Sequence, residues 1–446
     1  TPKDVPDGII NSIEVSPHDP ATAYITIMRY KSMDLKPYIF KTNNYGQSWT
    51  KIVNGINDPH TFVRVVRADK KQKGLLYAGT ETGLYISLDD GANWQQFQLN
   101  LPVVAINDLY IQDNDLVAAT AGRSFWILDD LAAIQNINAS KKAVQIFKPK
   151  NTYRLFGGSA SRFVPGVGQN PKSGVTFDYF LEKNIDSLEL KLEVLEGNKV
   201  IRTYSNKKDK DFKSWSGGPS APQILPAKKG YNRFTWDFER ASLPGVDNVF
   251  VHGGHSGSNV APGNYTLRLT LENGDTSETE VTILPNPNVQ STPSDFKEQQ
   301  AALLQIDNEI IDIHESVNNM RSAKSQLEGY AKLLKENDAA KDLLDKGKSL
   351  IERITSWEEN LIQPQQKTFQ DVINFNNKLN SQLLHLKGFI DVDEPKLTKG
   401  SKERLQDLLS EWNTFKKERD AIINTEMAAY NKQFKDLNLP AIIIKN

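Results

Sequence analysis

Two pairs of adjacent carboxylates and one pair of histidines are the residues of this chain whose types and spacing invite a chemical reading. Asp89-Asp90 and Asp129-Asp130 offer paired acids. Glycoside hydrolysis needs two carboxyl groups facing each other across a cleft, roughly 5–9.5 Å apart. Neighbours on a strand or turn point to different sides, so this spacing favours turn stabilisation over acid–base work. His252 and His255 flank two glycines in His252-Gly253-Gly254-His255-Ser256-Gly257-Ser258. A metal needs more ligands than these two, and the composition predicts a mobile, solvated loop. His314 and His385 stand singly beside apolar helix positions and are expected at the surface or as satisfied boundary residues. The chain has 6 histidines, and none joins a Ser/His/Asp arrangement. No phosphate-cradling glycine motif occurs. Arg64, Arg67 and Arg123 are scattered over expected strands and are read as surface or ion-paired groups. The sequence therefore assigns no catalytic residue, no cofactor-binding residue and no metal ligand.

The acidic pairs belong to a repeat. Thr42-Asn43-Asn44-Tyr45-Gly46-Gln47-Ser48-Trp49 and Ser87-Leu88-Asp89-Asp90-Gly91-Ala92-Asn93-Trp94 both fit S/T-x-D/N-x-G-x-x-W. Ser or Thr and Asp or Asn can bond nearby backbone amides. Gly46 and Gly91 can take a positive φ, and Trp49 and Trp94 can fold back as apolar plugs. The copies are spaced by the ~40–45 residues of one four-stranded propeller blade. A degenerate third copy follows: Leu128-Asp129-Asp130 matches Leu88-Asp89-Asp90, and Val117 to Thr120 matches Tyr77 to Thr80. A closed propeller needs roughly 4–8 blades, so the missing propeller half is expected elsewhere, in the same protein or in a separate chain.

Strands must position these turns. Ile10 to Val15, Ala23 to Ile27 and Pro37 to Lys41 form a first set. Phe62 to Val66, Leu75 to Gly79 and Gly83 to Ser87 repeat it. Ile106 to Ile111, Leu116 to Thr120 and Ser124 to Asp130 form a third, leaving the propeller at Leu131 to Ile134. A second all-β region follows, with hairpins at Glu196-Gly197-Asn198 and Asn273-Gly274. Phe234, Trp236 and Phe238 alternate there as one buried strand face. Seven or so short strands fit an immunoglobulin-like β-sandwich.

After a linker at Pro285 to Pro293 the apolar period becomes helical. Phe296, Leu303, Ile306, Ile310, Ile313, Val317, Met320, Leu327 and Leu334 make the first stripe, interrupted by Gln299, Lys324 and Ala331, with Ser294 or Asp295 as cap. Lys324 reads as register control or as a snorkelling side chain. A second stripe runs from Leu343 to Leu361, a third from Val372 to Ile390, and a fourth from Leu405 toward Phe434. Four amphipathic helices with short connections predict a bundle. The expected architecture is multidomain, mostly β then α: terminal propeller blades over 1–135, a β-sandwich over 136–288 and a helical bundle over 289–446.

At 446 residues the chain exceeds one domain. Its net charge of -1 argues against nucleic acid. Cysteine is absent, which excludes disulfides, thiolate metal sites and a cysteine nucleophile. No apolar run of about 18 residues occurs to span a membrane as a helix, and Thr1-Pro2-Lys3-Asp4 is no signal peptide.

The repeats resemble the BNR/Asp-box propellers of sialidases, xyloglucan-type glycosidases and the VPS10-like luminal domain of sortilin. A resemblance over almost the whole chain rests on Arg123-Ser124-Phe125-Trp126-Ile127-Leu128-Asp129-Asp130, Asn232-Arg233-Phe234-Thr235-Trp236-Asp237 and Ala261-Pro262-Gly263-Asn264-Tyr265-Thr266-Leu267-Arg268-Leu269. In that order they resemble the C-terminal portion of large bacterial sortilin-like or "glycosyl hydrolase, BNR repeat" proteins. Those end in a β-sandwich and a helical segment like Leu379-Asn380-Ser381-Gln382-Leu383. The resemblance implies an exported bacterial protein, in the periplasm, on the outer-membrane surface or secreted. It implies no proven activity, because the hydrolase label comes from the repeat. The Phe/Tyr-Arg-Ile-Pro motif of sialidases is missing, and Ala121 stands where relatives often carry histidine.

The expected role is a non-catalytic binding or assembly module without a cofactor, with an envelope protein, glycan or peptide as partner. One alternative is a glycoside hydrolase whose carboxylates lie in the missing blades. The other is a sortilin-like peptide-binding receptor.

Overall fold

Short β-branched and aromatic runs, cut by Asp, Pro and Gly, fold as strands because such side chains suit a pleated surface and such breakers suit turns. In the computed structural model, residues 7–136, 142–155, 172–185 and 187–438 are described. Strands β1 (Ile9–Val15), β2 (Ala23–Met28), β3 (Ile39–Thr42) and β4 (Thr50–Lys51) pair antiparallel in chain order. The next sheet repeats that order with β5 (Val63–Ala68), β6 (Leu76–Thr80), β7 (Gly83–Ser87) and β8 (Gln95–Gln96). The third has β9 (Ile106–Gln112), β10 (Asp115–Thr120) and β11 (Phe125–Leu128), and ends in the short helix α1 (Ala132–Gln135).

The three sheets stack face to face. Tyr24 and Ile39 of the first share an apolar cluster with Val66, Ala68 and Trp94 of the second. Val65, Tyr77 and Ile86 of the second share another with Ile106, Leu109 and Ala118 of the third. Polar side chains tie the layers to facing backbone: Thr26 Oγ1 donates to Arg64 O at 3.0 Å, and Arg67 Nε donates to Leu109 O at 2.8 Å.

The following β region forms two sheets. One has the order β12-β14-β17, from β12 (Val144–Ile146), β14 (Val175–Leu181) and β17 (Gly230–Trp236). The other runs β13-β19-β18-β15-β16, from β13 (Thr152–Tyr153), β15 (Leu190–Glu196), β16 (Lys199–Ser205), β18 (Gly263–Leu271) and β19 (Thr276–Leu284). Alternating residues such as Val175, Phe177, Tyr179 and Leu181 bury against Leu192, Val194, Leu267 and Leu269 in one shared core. Phe234, Trp236 and Phe238 are all buried in it.

The helices are α2 (Pro293–Leu333), α3 (Lys341–Leu361), α4 (Leu379–Ile390), α5 (Lys399–Ala421) and α6 (Ala428–Asp436). The cap of α2 is Thr292, not Ser294 or Asp295. Asp295 instead completes a capping box from the third helical position, and Pro293 opens the first turn. The third stripe does not run as one helix from Val372. Phe369–Ile373 is a separate 3₁₀ turn held by a Thr368–Asp371 capping box, and α4 starts only at Leu379. The fourth stripe is continuous, because a π-helical turn, Ile422–Met427, joins α5 to α6. Leu243, Val246, Val249 and Val251 pack into the same apolar cluster as these helices. Several β-sheets are thus followed by a C-terminal helical bundle, with the 243–251 segment shared between the two regions.

Candidate functional site

The two signature turns make the same bonds. Ser87 Oγ accepts the Gly91 amide at 2.9 Å, as Thr42 Oγ1 accepts that of Gly46 at 2.9 Å. Asp89 Oδ1 accepts the Asn93 amide at 2.8 Å, as Asn44 Oδ1 accepts that of Ser48 at 2.9 Å. Tyr45 and Asp90 hold φ near +60°, and Gly46 and Gly91 follow at +81° and +87°. Burial pushes the Asp89 carboxyl up, but bonds from Asn93 and Ser87 outweigh it and hold it below its usual range.

Their surroundings differ. Trp94 is buried against the first sheet, with Nε1 donating to Ile52 O at 2.9 Å. A Cβ on Gly91 would lie 2.4 Å from Ile52 Cδ1. Asp90 reaches the first sheet too, at the Tyr24 hydroxyl and, at 2.5 Å, Lys41 Nζ. The matching turn has Gly46 exposed and Trp49 only half-buried.

Three of the four carboxylates in the acidic pairs have structural partners. Asp89 braces its own hairpin, and Asp90 clamps two sheets. Asp130, with φ +57°, accepts Asn114 Nδ2 at 2.7 Å and the Ala132 amide at 3.1 Å. The arginines divide: Arg64 pairs with Glu81, Arg67 with Asp108 and Glu14, and Arg123 is exposed beside β11.

At each end of the stack apolar side chains stand exposed on the outer face, across the third sheet but only at the β1 rim of the first, where Ile25, Ile27 and Phe40 on the same face are buried with Trp49 packed against them. Ile13, paired with Ile25 on the side away from the second sheet, is 67% exposed, and Val15 is 61% exposed. Across the third sheet, Tyr110 and Ile127 flank Val117, with Phe125 beside Ala119. Phe125 is 76% exposed and Ile127 59%.

The histidine loop departs from expectation. His255 is buried, with Nε2 3.1 Å from Gly217 O, and its ring centroid lies 6.0 Å from that of His314. His252 stacks on Phe369. The glycines permit close approach rather than motion. A Cβ on Gly253 would lie 2.7 Å from Leu384 Cβ, and one on Gly257 would lie 2.4 Å from Ala241 O. His314 is fully buried, not at the surface. Its Nδ1 donates to Pro244 O at 2.7 Å, which leaves Nε2 to accept from Asn380 Nδ2 at 3.1 Å. Burial lowers its pKa to about 4, and burial lowers that of His255 too. His385 is exposed, edge-on to Phe389.

Around this loop lies a polar seam that sequence reasoning missed. Lys387 Nζ meets Asp307 Oδ1 at 2.6 Å and donates to Ser256 O at 2.6 Å, while Asp307 Oδ2 accepts the Ser258 amide at 2.9 Å. Arg154 meets Asp391 at 3.3 Å and Gln299 Oε1 at 3.1 Å. Gln299 Nε2 donates to Ile390 O and Val392 O at 2.8 and 2.9 Å. Gln299, which broke the α2 stripe, was the visible signal. Lys324 is part-buried and donates to Thr355 Oγ1 on α3 at 2.7 Å.

Among the described residues, no group of three or more His, Asp or Glu side chains could hold a metal ion. No described helix is long and apolar enough to cross a membrane.

No known family's sequence profile matches the chain, and no curated protein matches it. Solved structures give weak likenesses to extracellular propeller-type and GH74-type proteins. YCF48 bound to D1 peptide is 14% identical at TM-score 0.20, covering 62% of this chain and 68% of that one. The extracellular domain of a one-component system from B. thetaiotaomicron is 14% identical at TM-score 0.19, covering 59% and 30%. The GH74 xyloglucanase of Xanthomonas campestris is 12% identical at TM-score 0.22, covering 63% and 39%. The chain spans about a third of the length of the latter two.

Proposed function

We propose that this chain is a non-catalytic binding or assembly module of an exported bacterial protein. In this reading, residues 1–135 are blades of an Asp-box propeller, 136–288 an immunoglobulin-like sandwich and 289–446 a bracing bundle. The eight turn residues Thr42, Asn44, Gly46, Trp49, Ser87, Asp89, Gly91 and Trp94 have a structural role.

The observation that supports it is the contrast between the two turns. The Ser87 to Trp94 turn docks on the sheet before it through Trp94 and Asp90. The Thr42 to Trp49 turn has the same internal bonds, and beside it the Ile13 and Val15 side chains stand open. A further sheet of the same build, from the same protein or a separate chain, would bury that face as the first sheet buries the second. An envelope protein, glycan or peptide would then be held by the assembled propeller.

The chain's own third sheet carries the complementary open face, so the isolated chain should associate head to tail. Sedimentation velocity over a range of concentrations tests this. Ile13→Asp or Phe125→Asp, each on one face, should return the chain to monomer. A wild-type monomer at all concentrations would count against open blade faces. Turnover of a polysaccharide, lost on changing one carboxylate, would remove the non-catalytic reading.

A further inference from the structure

Strand β16 is the edge of its five-stranded sheet and borders an open cleft of about 1060 Å³. The other walls come from the segments 209–223 and 237–256. The ladder parity shows which backbone groups face the cleft. Asn206 donates its amide inward to Leu190 O at 3.1 Å, while the Ser205 carbonyl accepts the Leu225 amide from outside at 3.0 Å. Thr203, two residues back, shares the outward parity of Ser205. The Ile201 carbonyl is also taken from outside, by the Ala241 amide at 2.8 Å. Between these two anchors Thr203 is exposed, and its amide and carbonyl have no outward backbone partner among the described residues. The gap spans roughly 13 Å at ~3.3 Å per residue, room for about three residues of an added strand.

The cleft also carries an aromatic wall and excess negative charge. Trp215 lies between two glycines: a Cβ on Gly218 or Gly245 would come within 2.4 or 2.7 Å of its ring. Its Nε1 donates to Val249 O at 2.8 Å, which fixes the ring's orientation. Asp209, Asp211, Asp237, Glu239 and Asp247 line the cleft against only Arg202 and Lys213. Arg202 donates to Arg240 O at 2.5 Å and lies over the Tyr204 ring, and its charge and that of Lys387 reach Glu239, leaving the other carboxylates of the cleft without a close cation among the described residues. Burial, then the charge of Asp237, pushes the Glu239 carboxyl up, so a cation placed there would relieve an existing electrostatic cost.

We propose that this cleft binds an extended peptide segment bearing lysine or arginine side chains. Its backbone pairs with Thr203 as a short added strand, and its cationic groups sit between the carboxylates and the Trp215 ring. The site lies away from the stacked sheets, so it goes beyond the role proposed above and either can fail alone.

Fluorescence anisotropy with a labelled (Lys-Thr)₅ peptide tests it, with (Glu-Thr)₅ and cellohexaose as comparators. The lysine peptide should bind one to one and the glutamate peptide should not. Thr203→Pro removes an amide that no ladder bond uses, a change an edge strand tolerates, and should weaken binding roughly five- to tenfold. Asp209→Asn with Asp211→Asn, both exposed, should weaken it about tenfold at low salt and flatten its salt dependence. If Thr203→Pro loses its circular dichroism spectrum, the aspartate pair decides alone. The proposal is overturned by absent binding of the lysine peptide, by binding indifferent to a folded Thr203→Pro or to the aspartate pair, or by displacement with cellohexaose.

Discussion

The seam around α4 and the stack of N-terminal sheets handle exposed chemistry in opposite ways. At the seam, charged and polar groups are buried but paired within the chain: Lys387 with Asp307, Arg154 with Asp391, His314 with Pro244 and Asn380. In the stack, the cores between sheets are closed, yet apolar side chains stand open at both ends, Ile13 and Val15 on the rim of the first sheet and Tyr110, Phe125 and Ile127 across the third. Burying an ion pair costs desolvation that only good geometry offsets. Exposing a contiguous apolar face forgoes roughly 25 cal/mol per Å² that burial would return. The ion pairs of the seam thus close within one chain, although Ser258 Oγ beside them is buried without a hydrogen-bond partner among the described residues, whereas the stack gains stability from whatever covers it.

Breaking one partner of the seam should give the largest effect. Asp307→Asn leaves the Lys387 ammonium buried without its counter-charge and should cost about 3–5 kcal/mol. Adding Lys387→Met should recover most of that loss, since removing both charges together is close to neutral. Glu81→Gln, which breaks the partly exposed Arg64 pair in the stack, should cost under about 1 kcal/mol. Denaturant midpoints followed at 222 nm, with a sheet-sensitive probe for Glu81→Gln, measure all three. Equal losses in the two regions would contradict the contrast.

Acid should sharpen the same contrast, with an effect of about 3 kcal/mol. His314 is held neutral by burial, with a pKa of about 4 in the folded chain, against roughly 6.5 when unfolded. The unfolded state therefore binds the extra proton first. Stability from the neutral ring is fully present above about pH 6.5 and lost as pH falls toward 4, about 2 kcal/mol of it by pH 5. His255, lowered by burial as well, adds in the same direction. His314→Gln should lower stability at pH 7 but flatten its slope between pH 7 and 5. An unchanged slope would mean that another group sets the acid response.

The turns were legible because their bonds are local: Ser87 and Gly91 are four residues apart, and the motif contains both. The strands of the stack were legible to within a few residues from apolar runs bounded by Asp, Pro and Gly. The seam was not, because Gln299 finds its acceptors 91 and 93 residues away. A break in a helical stripe marks that a polar side chain has a task without showing its partner. Glycine misled at 252–258, since composition does not distinguish freedom to move from the close approach that Gly253 and Gly257 require. The α2 cap was available in Thr292-Pro293-Ser294-Asp295, where Thr caps, Pro opens and Asp reaches back. The open faces at Ile13 and Phe125 depend on which sheets stack, which no single strand encodes.

The smallest effects come from the side-chain acceptors of the two signature turns, and the tryptophans that follow them isolate packing from local bonding. Asp89→Ala removes a charged acceptor that bonds both the Asn93 amide and its side chain and should cost about 1–2 kcal/mol. Asn44→Ala removes a neutral acceptor of the Ser48 amide and should cost about 1 kcal/mol or less. The tryptophans should diverge further. Trp94 fills the contact between two sheets, so Trp94→Ala should approach the ~3–5 kcal/mol of a buried aromatic deletion. Trp49→Ala should stay below it, because that ring is only half-buried and packs on the Ile25, Ile27, Tyr38 and Phe40 cluster of its own sheet rather than between two sheets. The decisive measurement repeats Trp49→Ala on a chain whose first face is covered, by self-association or by a partner. If the two tryptophans then cost alike, the first turn is the same clamp waiting for its sheet. If Trp49 stays cheap under cover, its likeness to Trp94 ends at the hairpin.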